Sequence, residues 1–498
     1  MSERKINLLI LGLILLLGFA LRVQHLLHVS PITDEYITML ATRATLRWGY
    51  PRLPSGLCYD HGLLFTYSSA LFAGVFGFDP MVTRVPGMAF GLLTIATVYR
   101  AGRDWFSTRA GLMAATIVSL SPQAITWGAR ARMYSLWMWL FFLALFWLAT
   151  GLIVRDTKLL RCLGVVALVS SSLAHILSVA FAFPLAAGLS VGWLICDRKK
   201  SLSVRLRDIA WPEAGVALFG VFLLISFRAL GGRGISESTM RAMIDKARFA
   251  DPLIIAVRAA AVASPFFRPP LVIPGLFVTV GIFFMTLRMI RNPESSDILL
   301  MCLVVILCGT FIGLGALSSY YADRYVVALF PVFALLAGYE IAFVGHLLGQ
   351  RTSWLVGLAA PLLLLVGSLG PAACVTATQD SINIDQAYAF VRRNRAPGDI
   401  VVTTSPAAAT ICLGGSDIYI SADSDGPCTE RRDRWTGIPH YTCSEDFATL
   451  LDTEARVWFV VDDWFWDHSL SNELMDLIQI HMDLAFHPDG ARVYLHHE

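Results

Sequence analysis

The sequence predicts a polytopic α-helical membrane protein, with about eleven spans, an interfacial helix and a small C-terminal α/β extracytoplasmic domain. Three observations predict it. The 498 residues are 56% hydrophobic and only 15% charged, with mean hydropathy +0.62, too apolar for a soluble protein of this size. Apolar runs of about 20 residues, the length a bilayer requires, recur along the first three quarters of the chain. After Cys374 the composition changes to alternating amphipathic helices and β-branched strands. The expected domains are therefore residues 1–375 and 376–498.

The first apolar run, residues 7–27, follows a short basic start, MSERK, with no small-residue cleavage pattern after it, and reads as a membrane helix. Further spans are expected at 85–102, 110–127, 136–154, 160–177, 180–196, 214–229, 271–287, 298–317, 325–344 and 354–374. Segment 61–78, HGLLFTYSSALFAGVFGF, is apolar enough for a twelfth, but charge decides against it. With this segment interfacial or re-entrant, the basic groups at 4–5, 100–109, 155–161, 198–207 and 288–291 all face one side. That side is the cytoplasm by the positive-inside rule, which puts the C-terminus outside. The stretch 231–252 reads equally as a lid or as an ordinary connecting loop.

Formal net charge is +2, and the one dense basic run, DRKKSLSVRLR (197–207), reads as a topogenic or anionic-lipid contact, so nucleic acid is not an expected partner. Nine cysteines contain no CxxC pair, so no zinc or thioredoxin-like site is indicated. In the tail, Cys428 and Cys443 bracket a short polar loop that suits a disulfide, with Cys412 as the alternative partner. Asp462 and Asp463, at a strand end, read as turn acids. His175 reads as an interfacial or hydrogen-bonded histidine.

The functional question sits in SPITDEYITML (30–40), where Asp34 and Glu35 follow the first span. Helix capping, with Ser30 as N-cap and Pro31 in the first turn, accounts for either acid and is worth up to about 1 kcal/mol. It leaves the other polar groups at external helix ends unexplained: Asp60 and His61, Arg84, Arg130, Arg132 and Tyr134 within WGARARMY, and Arg324 and Tyr325 within YYADRY. A charge within hydrocarbon costs about 2.5 to 3.5 kcal/mol and is kept for function or snorkelled away. Carboxylates for a base, arginines for an anion and an interface location suit transfer of a sugar from a lipid phosphate. The leaving group is already a good anion, so a carboxylate to deprotonate the acceptor and arginines to hold the phosphate suffice.

The order of DE (34–35), RVPGMAFG (84–91), GLMAATIVSLSPQAITWGARARMY (111–134) and DRYVVALFP (323–331) resembles the membrane glycosyltransferases of the GT-C superfold. The nearest likeness is to the family 39 proteins related to protein O-mannosyltransferases and the lipid A aminoarabinose transferase. The resemblance implies an inverting hexosyl- or pentosyltransferase of the cell envelope, in the inner (cytoplasmic) membrane. It would use a polyprenyl-phosphate sugar at the outer face and an acceptor that is lipid, glycan or protein. It implies Asp34 as the base, with Glu35 beside it, and Arg324 and Tyr325 facing the lipid phosphate. Arg130 and Arg132 are added as phosphate ligands, and Asp60, His61, Arg84 and Tyr134 as substrate contacts. Adjacent acids on a helix point about 100° apart, so only one should face the reaction centre. Where relatives carry HPP this chain has DHG (60–62), and RMYS (132–135) lacks a carboxylate, so metal-independent catalysis without a cofactor is expected. The rival readings are a secondary transporter or flippase of a lipid-linked substrate, and a non-catalytic lipid- or polysaccharide-binding partner.

Overall fold

A computed structural model describes residues 2–196, 203, 215, 252–291, 295–317, 323–379, 382–421, 431–453 and 455–496. Among the described residues, seven helices are long and apolar enough to cross a membrane: Glu3–His28, Pro80–Trp105, Tyr134–Val154, Leu177–Ile195, Ser296–Ala316, Asp323–Arg351 and Trp354–Thr378. The chain is a multi-pass helical membrane protein. Four further apolar helices are shorter, at Leu63–Phe76, Thr108–Leu120, Pro252–Phe266 and Val272–Arg288. The helix at Lys158–Ala174 occupies the expected span 160–177. The expected span 214–229, the lid candidate 231–252 and the basic run 197–207 lie outside the described residues except for single positions.

Three segments bear on the expected spans. The 14-residue helix α3 (Leu63–Phe76) is about 21 Å long, short of the roughly 30 Å of hydrocarbon, which fits a segment that does not cross. The expected span 110–127 is broken into α5 (Thr108–Leu120) and α6 (Pro122–Gly128), because Ser121 turns extended, caps α6 through Ala124 N–H and is followed by a proline. Helix Pro252–Ala263 was not anticipated at all; its twelve residues fall below the length that hydropathy reads as a span.

By internal contacts the chain divides into two compact units: Met1–Val23, Gly87–Ala129 and Met133–Ala377 form one, and Gln24–Pro86, Arg130–Arg132 and Thr378–Glu498 the other. The sequence cut the chain once, near 375. The structure also joins residues 24–86 to the C-terminal chain.

The first unit packs helices on small residues. A Cβ on Gly102 would come 2.6 Å from Gly111 Cα, and one on Gly338 would come 2.6 Å from Ala114 N, so both crossings depend on the missing side chain. The same device houses a buried cation. Arg22 on α1 (Glu3–His28) is wholly buried and donates to Gly18 O at 2.9 Å and Ala124 O at 3.1 Å. Gly91 and Gly128 stand against it so closely that a Cβ on either would lie 2.8 and 2.6 Å from Arg22 Nε.

The second unit contains a seven-stranded mixed sheet of order β3-β4-β2-β1-β5-β7-β6. Its strands are β1 Ile400–Thr403, β2 Ile418–Ile420, β3 Arg431–Arg432, β4 Pro439–Tyr441, β5 Val457–Asp462, β6 Asp483–Phe486 and β7 Ala491–His496. Parallel pairing joins β1 to β2 and β5, and β2 to β4; the other pairs are antiparallel. Strand β5 is buried along nearly its whole length, as expected of a central strand covered on both faces. Phe447, Phe459, Trp466 and Ile478 fill the core beside it. Asp462 accepts from Phe465 N–H at 2.8 Å and Asp463 pairs with Arg492 at 2.7 Å, the arrangement of turn acids. Cys443 is disulfide-bonded and Cys412 carries a free thiol, while Cys428 lies outside the described residues.

The glycine cradle is testable. Gly128→Ala should cost about 1 to 3 kcal/mol through overpacking against Arg22, seen as a lower thermal midpoint of the detergent-purified protein. Arg22→Met in the same chain should return part of the loss. An unchanged midpoint in Gly128→Ala would mean that the guanidinium has room to move aside.

Candidate active site at the start of the second helix

Helix α2 (Thr33–Trp48) opens with Asp34 and Glu35, and the two acids have opposite surroundings. The helix is capped at Ile32 and not at Ser30: Glu35 turns back to accept Ile32 N–H at 3.0 Å. Ser30 instead donates to Asp385 at 2.7 Å. Thr33 shares a 3.0 Å hydrogen bond with Ser405, so the loop before α2 is fastened twice to the C-terminal chain.

Glu35 is wholly buried. Arg84 meets it bidentately, Nε to Oε1 at 2.8 Å and Nη2 to Oε2 at 2.9 Å. Arg84 Nη1 donates to Val29 O at 2.7 Å, and Ala131 N–H donates to Glu35 Oε1 at 2.7 Å. Burial alone would raise the Glu35 carboxyl. The charge and hydrogen bonds of Arg84, the charge of Arg130 and the Ala131 N–H together hold it below the ordinary carboxylate range. The expectation that Glu35 acts on substrate does not fit this burial, and neither does Arg84 as a substrate contact, at 2% exposure. They form an internal clamp.

Asp34, one position earlier, keeps 36% of its side chain exposed. Arg132 lies along α2, with Nη2 3.4 Å from Asp34 Oδ2 and Nη1 donating to Asp34 O at 3.0 Å, Thr38 Oγ1 at 3.2 Å and Tyr59 Oη at 3.2 Å. Arg132 thus pairs with Asp34 and with polar groups of α2 and Tyr59.

Beyond Tyr59 the loop presents Asp60 and His61, 3.4 Å apart, with the His61 side chain 55% exposed. Burial lowers the His61 imidazole below its ordinary value, and the charges of Arg132 and Arg434 lower it further against the opposing charges of Asp60 and Asp34. Tyr59, His61 and Trp435 form a ring cluster with centroids 5.7 to 6.3 Å apart. Sequence reasoning missed Thr38, Tyr59, Arg434 and Trp435. The only signal was a tryptophan in an otherwise polar turn, DRWTG (433–437).

The other expected residues lie in the first unit. Arg324 stands 5.6 Å from the ring of Tyr325, the next residue. Tyr134 is 2% exposed and packs on Trp127 and His175, with centroids 4.5 and 5.5 Å away, which makes it part of a buried aromatic group and not an open substrate contact. His175 stacks on Trp137 at 4.2 Å, as a packed histidine does.

Residues 60–225 match the family model described as dolichyl-phosphate-mannose-protein mannosyltransferase. No curated protein matches the sequence. Among solved structures the chain is similar to ArnT from Cupriavidus metallidurans in the apo state, with TM-score 0.64 and 15% identity over 99% of this chain and 98% of that one. It is similar to the same ArnT bound to undecaprenyl phosphate, with TM-score 0.61 and 14% identity over 99% and 98%. The archaeal oligosaccharyltransferase AglB from Archaeoglobus fulgidus, in complex with an inhibitory peptide and a dolichol-phosphate, matches with TM-score 0.57 and 13% identity over 93% and 70%. The likeness in fold to ArnT thus extends over nearly the whole chain.

Two variants test the clamp. Arg84→Met strands a buried carboxylate and should destabilise the protein by about 3 to 5 kcal/mol. Because the Glu35 carboxyl is depressed in the folded state, its contribution is complete above the unfolded value of about 4.3 and is lost as pH falls through the lower folded value. Glu35→Gln should therefore flatten the acid limb of a midpoint-against-pH curve below about pH 4. An acid limb identical to that of the unmodified protein would show that the pair carries no folding linkage.

Proposed function

We propose that the chain is an inverting glycosyltransferase that moves a sugar from a polyprenyl-phosphate donor to an acceptor hydroxyl at the outer face of the cytoplasmic membrane. The observation that carries this reading is the Asp34–Arg132 pair. It offers a half-exposed carboxylate, oriented by an arginine, at the start of a helix whose neighbouring acid is locked away. The likeness to ArnT bound to undecaprenyl phosphate and to AglB with a dolichol-phosphate supports the donor class, and the family-model match over residues 60–225 supports the chemistry.

In this reading Asp34 accepts the proton of the acceptor hydroxyl. The acceptor oxygen attacks the anomeric carbon from the face opposite the phosphate, the bond from that carbon to the phosphate oxygen breaks, and its electron pair leaves on the polyprenyl phosphate. The leaving group is an anion at neutral pH, so no strong general acid is required. Arg132 holds Asp34 in one rotamer through its contacts with Thr38 and Tyr59. Arg324, with Tyr325, is assigned to the departing phosphate, and Asp60 and His61 to the acceptor side. The external C-terminal domain expected from loop charges belongs to the same reading.

Asp34→Asn keeps the shape and removes the base. Transfer should fall by about 100-fold to 10,000-fold with donor affinity little changed. Arg324→Ala should instead weaken donor binding by about 10-fold to 150-fold, the equivalent of losing a charge-assisted hydrogen bond of about 1.5 to 3 kcal/mol. Transfer and donor binding are measured separately on purified variants. Full transfer by Asp34→Asn would remove that residue from catalysis, and unchanged donor affinity in Arg324→Ala would take the phosphate elsewhere.

A further inference from the structure

The turn Asp433–Gly437 is built to hold one indole in place. Asp433 is 5% exposed, and its Oδ2 accepts from Trp435 N–H at 3.2 Å, from Thr436 N–H at 2.6 Å and from the Thr436 hydroxyl at 2.6 Å. Gly437 closes the turn at φ +80°, a conformation that side-chain-bearing residues resist, and its N–H donates to Asp433 O at 2.8 Å. The turn is also pinned from outside. Ser55 Oγ donates to Arg434 O at 2.6 Å, Ser55 N–H reaches Trp435 O at 3.4 Å, and a Cβ on Gly437 would meet Ser55 Cα at 3.1 Å.

The result is a half-buried Trp435 set against Tyr59 and His61, with its ring inclined 67° and 66° to theirs. The Arg434 guanidinium lies 4.2 Å from the indole centroid, on an exposed residue. Tyr59 links this corner to the reaction centre, since Arg132 donates both to Tyr59 Oη and to Asp34 O. Indole, guanidinium donors, an imidazole and the carboxylates of Asp60 and Asp34 thus share one open corner of the second unit.

That set has a definite ligand chemistry. A sugar ring has an apolar C–H face bordered by hydroxyls that both donate and accept. An indole covers the first, and Arg434, His61 and the two carboxylates match the second. None of these groups is part of the hydrophobic core of the sheet, and the heavily braced turn holds a half-buried tryptophan beside exposed polar groups. We infer that Trp435 and Arg434, supplied by the C-terminal domain, form a carbohydrate-ring subsite beside Asp34 that receives the acceptor. The assignment to the acceptor, but not the binding of a sugar ring, rests on the transferase reading.

The test uses the full-length protein in detergent with fluorotryptophan incorporated, the Trp435 signal being assigned by its loss in Trp435→Phe. Methyl glucoside, methyl mannoside and methyl galactoside are titrated to about 50 mM, the affinity range expected of a single-ring contact, with the open-chain polyol sorbitol as control. At least one ring sugar should shift the Trp435 signal saturably where sorbitol does not, and Arg434→Ala should weaken that binding about 10-fold or more, the loss of one charge-assisted contact. The titration needs neither donor nor turnover, so a binding failure here and a failure of the transferase reading are read separately. No shift from any ring sugar, or an equal shift from sorbitol, overturns the subsite. A ring-sugar response that Arg434→Ala leaves untouched overturns the role given to Arg434.

Discussion

The buried Glu35–Arg84 pair is the interaction on which the arrangement of the site depends. Two charges taken out of water are tolerated only with excellent geometry and every remaining lone pair met. Here the carboxylate has a bidentate guanidinium, the Ile32 and Ala131 amides and the nearby charge of Arg130. These partners come from three places in the sequence: the loop after α1, the start of the helix Pro80–Trp105 and residues 130–131. A single side chain thereby ties three backbone segments to the start of α2, and Asp34 and Arg132 inherit their positions. Asp34 is held outward because Glu35 points inward, and Arg132 reaches Asp34 because Ala131 is tied to Glu35.

A second buried arginine solves the same problem without a carboxylate. Arg22 donates to two backbone carbonyls, at Gly18 and Ala124, and is walled by Gly91 and Gly128. Among the described residues no acid pairs with it. The carbonyls it meets are dipoles, so the guanidinium is solvated by backbone. The arrangement gives a physical reason for two glycines, in RVPGMAFG and WGARARMY, that carried the family resemblance. A methyl group at either would occupy the space of the guanidinium.

The membrane architecture was legible in the sequence because length and hydropathy act over 20 residues at a time and average out local irregularity. What escaped were short-range breaks: Ser121 and Pro122 interrupt an otherwise continuous apolar run, and Pro252–Ala263 is too short for a window of membrane length. In the site, Asp34 and Glu35 stood out because adjacent acids at the end of a span are costly. Their division of labour was legible only as a 100° separation, since which of them faces inward is decided by Arg84, forty-nine positions away. Trp435 was invisible for the same reason. Nothing in DRWTG connects it to Tyr59, 376 residues earlier, and that juxtaposition exists only once the loop after α2 and the C-terminal chain fold as one unit.

That shared unit bears on how substrate recognition can vary within such a fold. The clamp leaves little freedom at Asp34, because Glu35, Arg84 and Ala131 constrain its backbone directly. The turn carrying Trp435 is constrained by its own Asp433 and by Ser55, none of which touches the clamp. A change in that turn therefore alters what lies beside Asp34 without disturbing the buried ion pair that orients it. In the reading proposed for this protein, the carboxylate that performs transfer and the aromatic corner that chooses the acceptor are held by separate sets of contacts. The second can diverge while the first stays fixed.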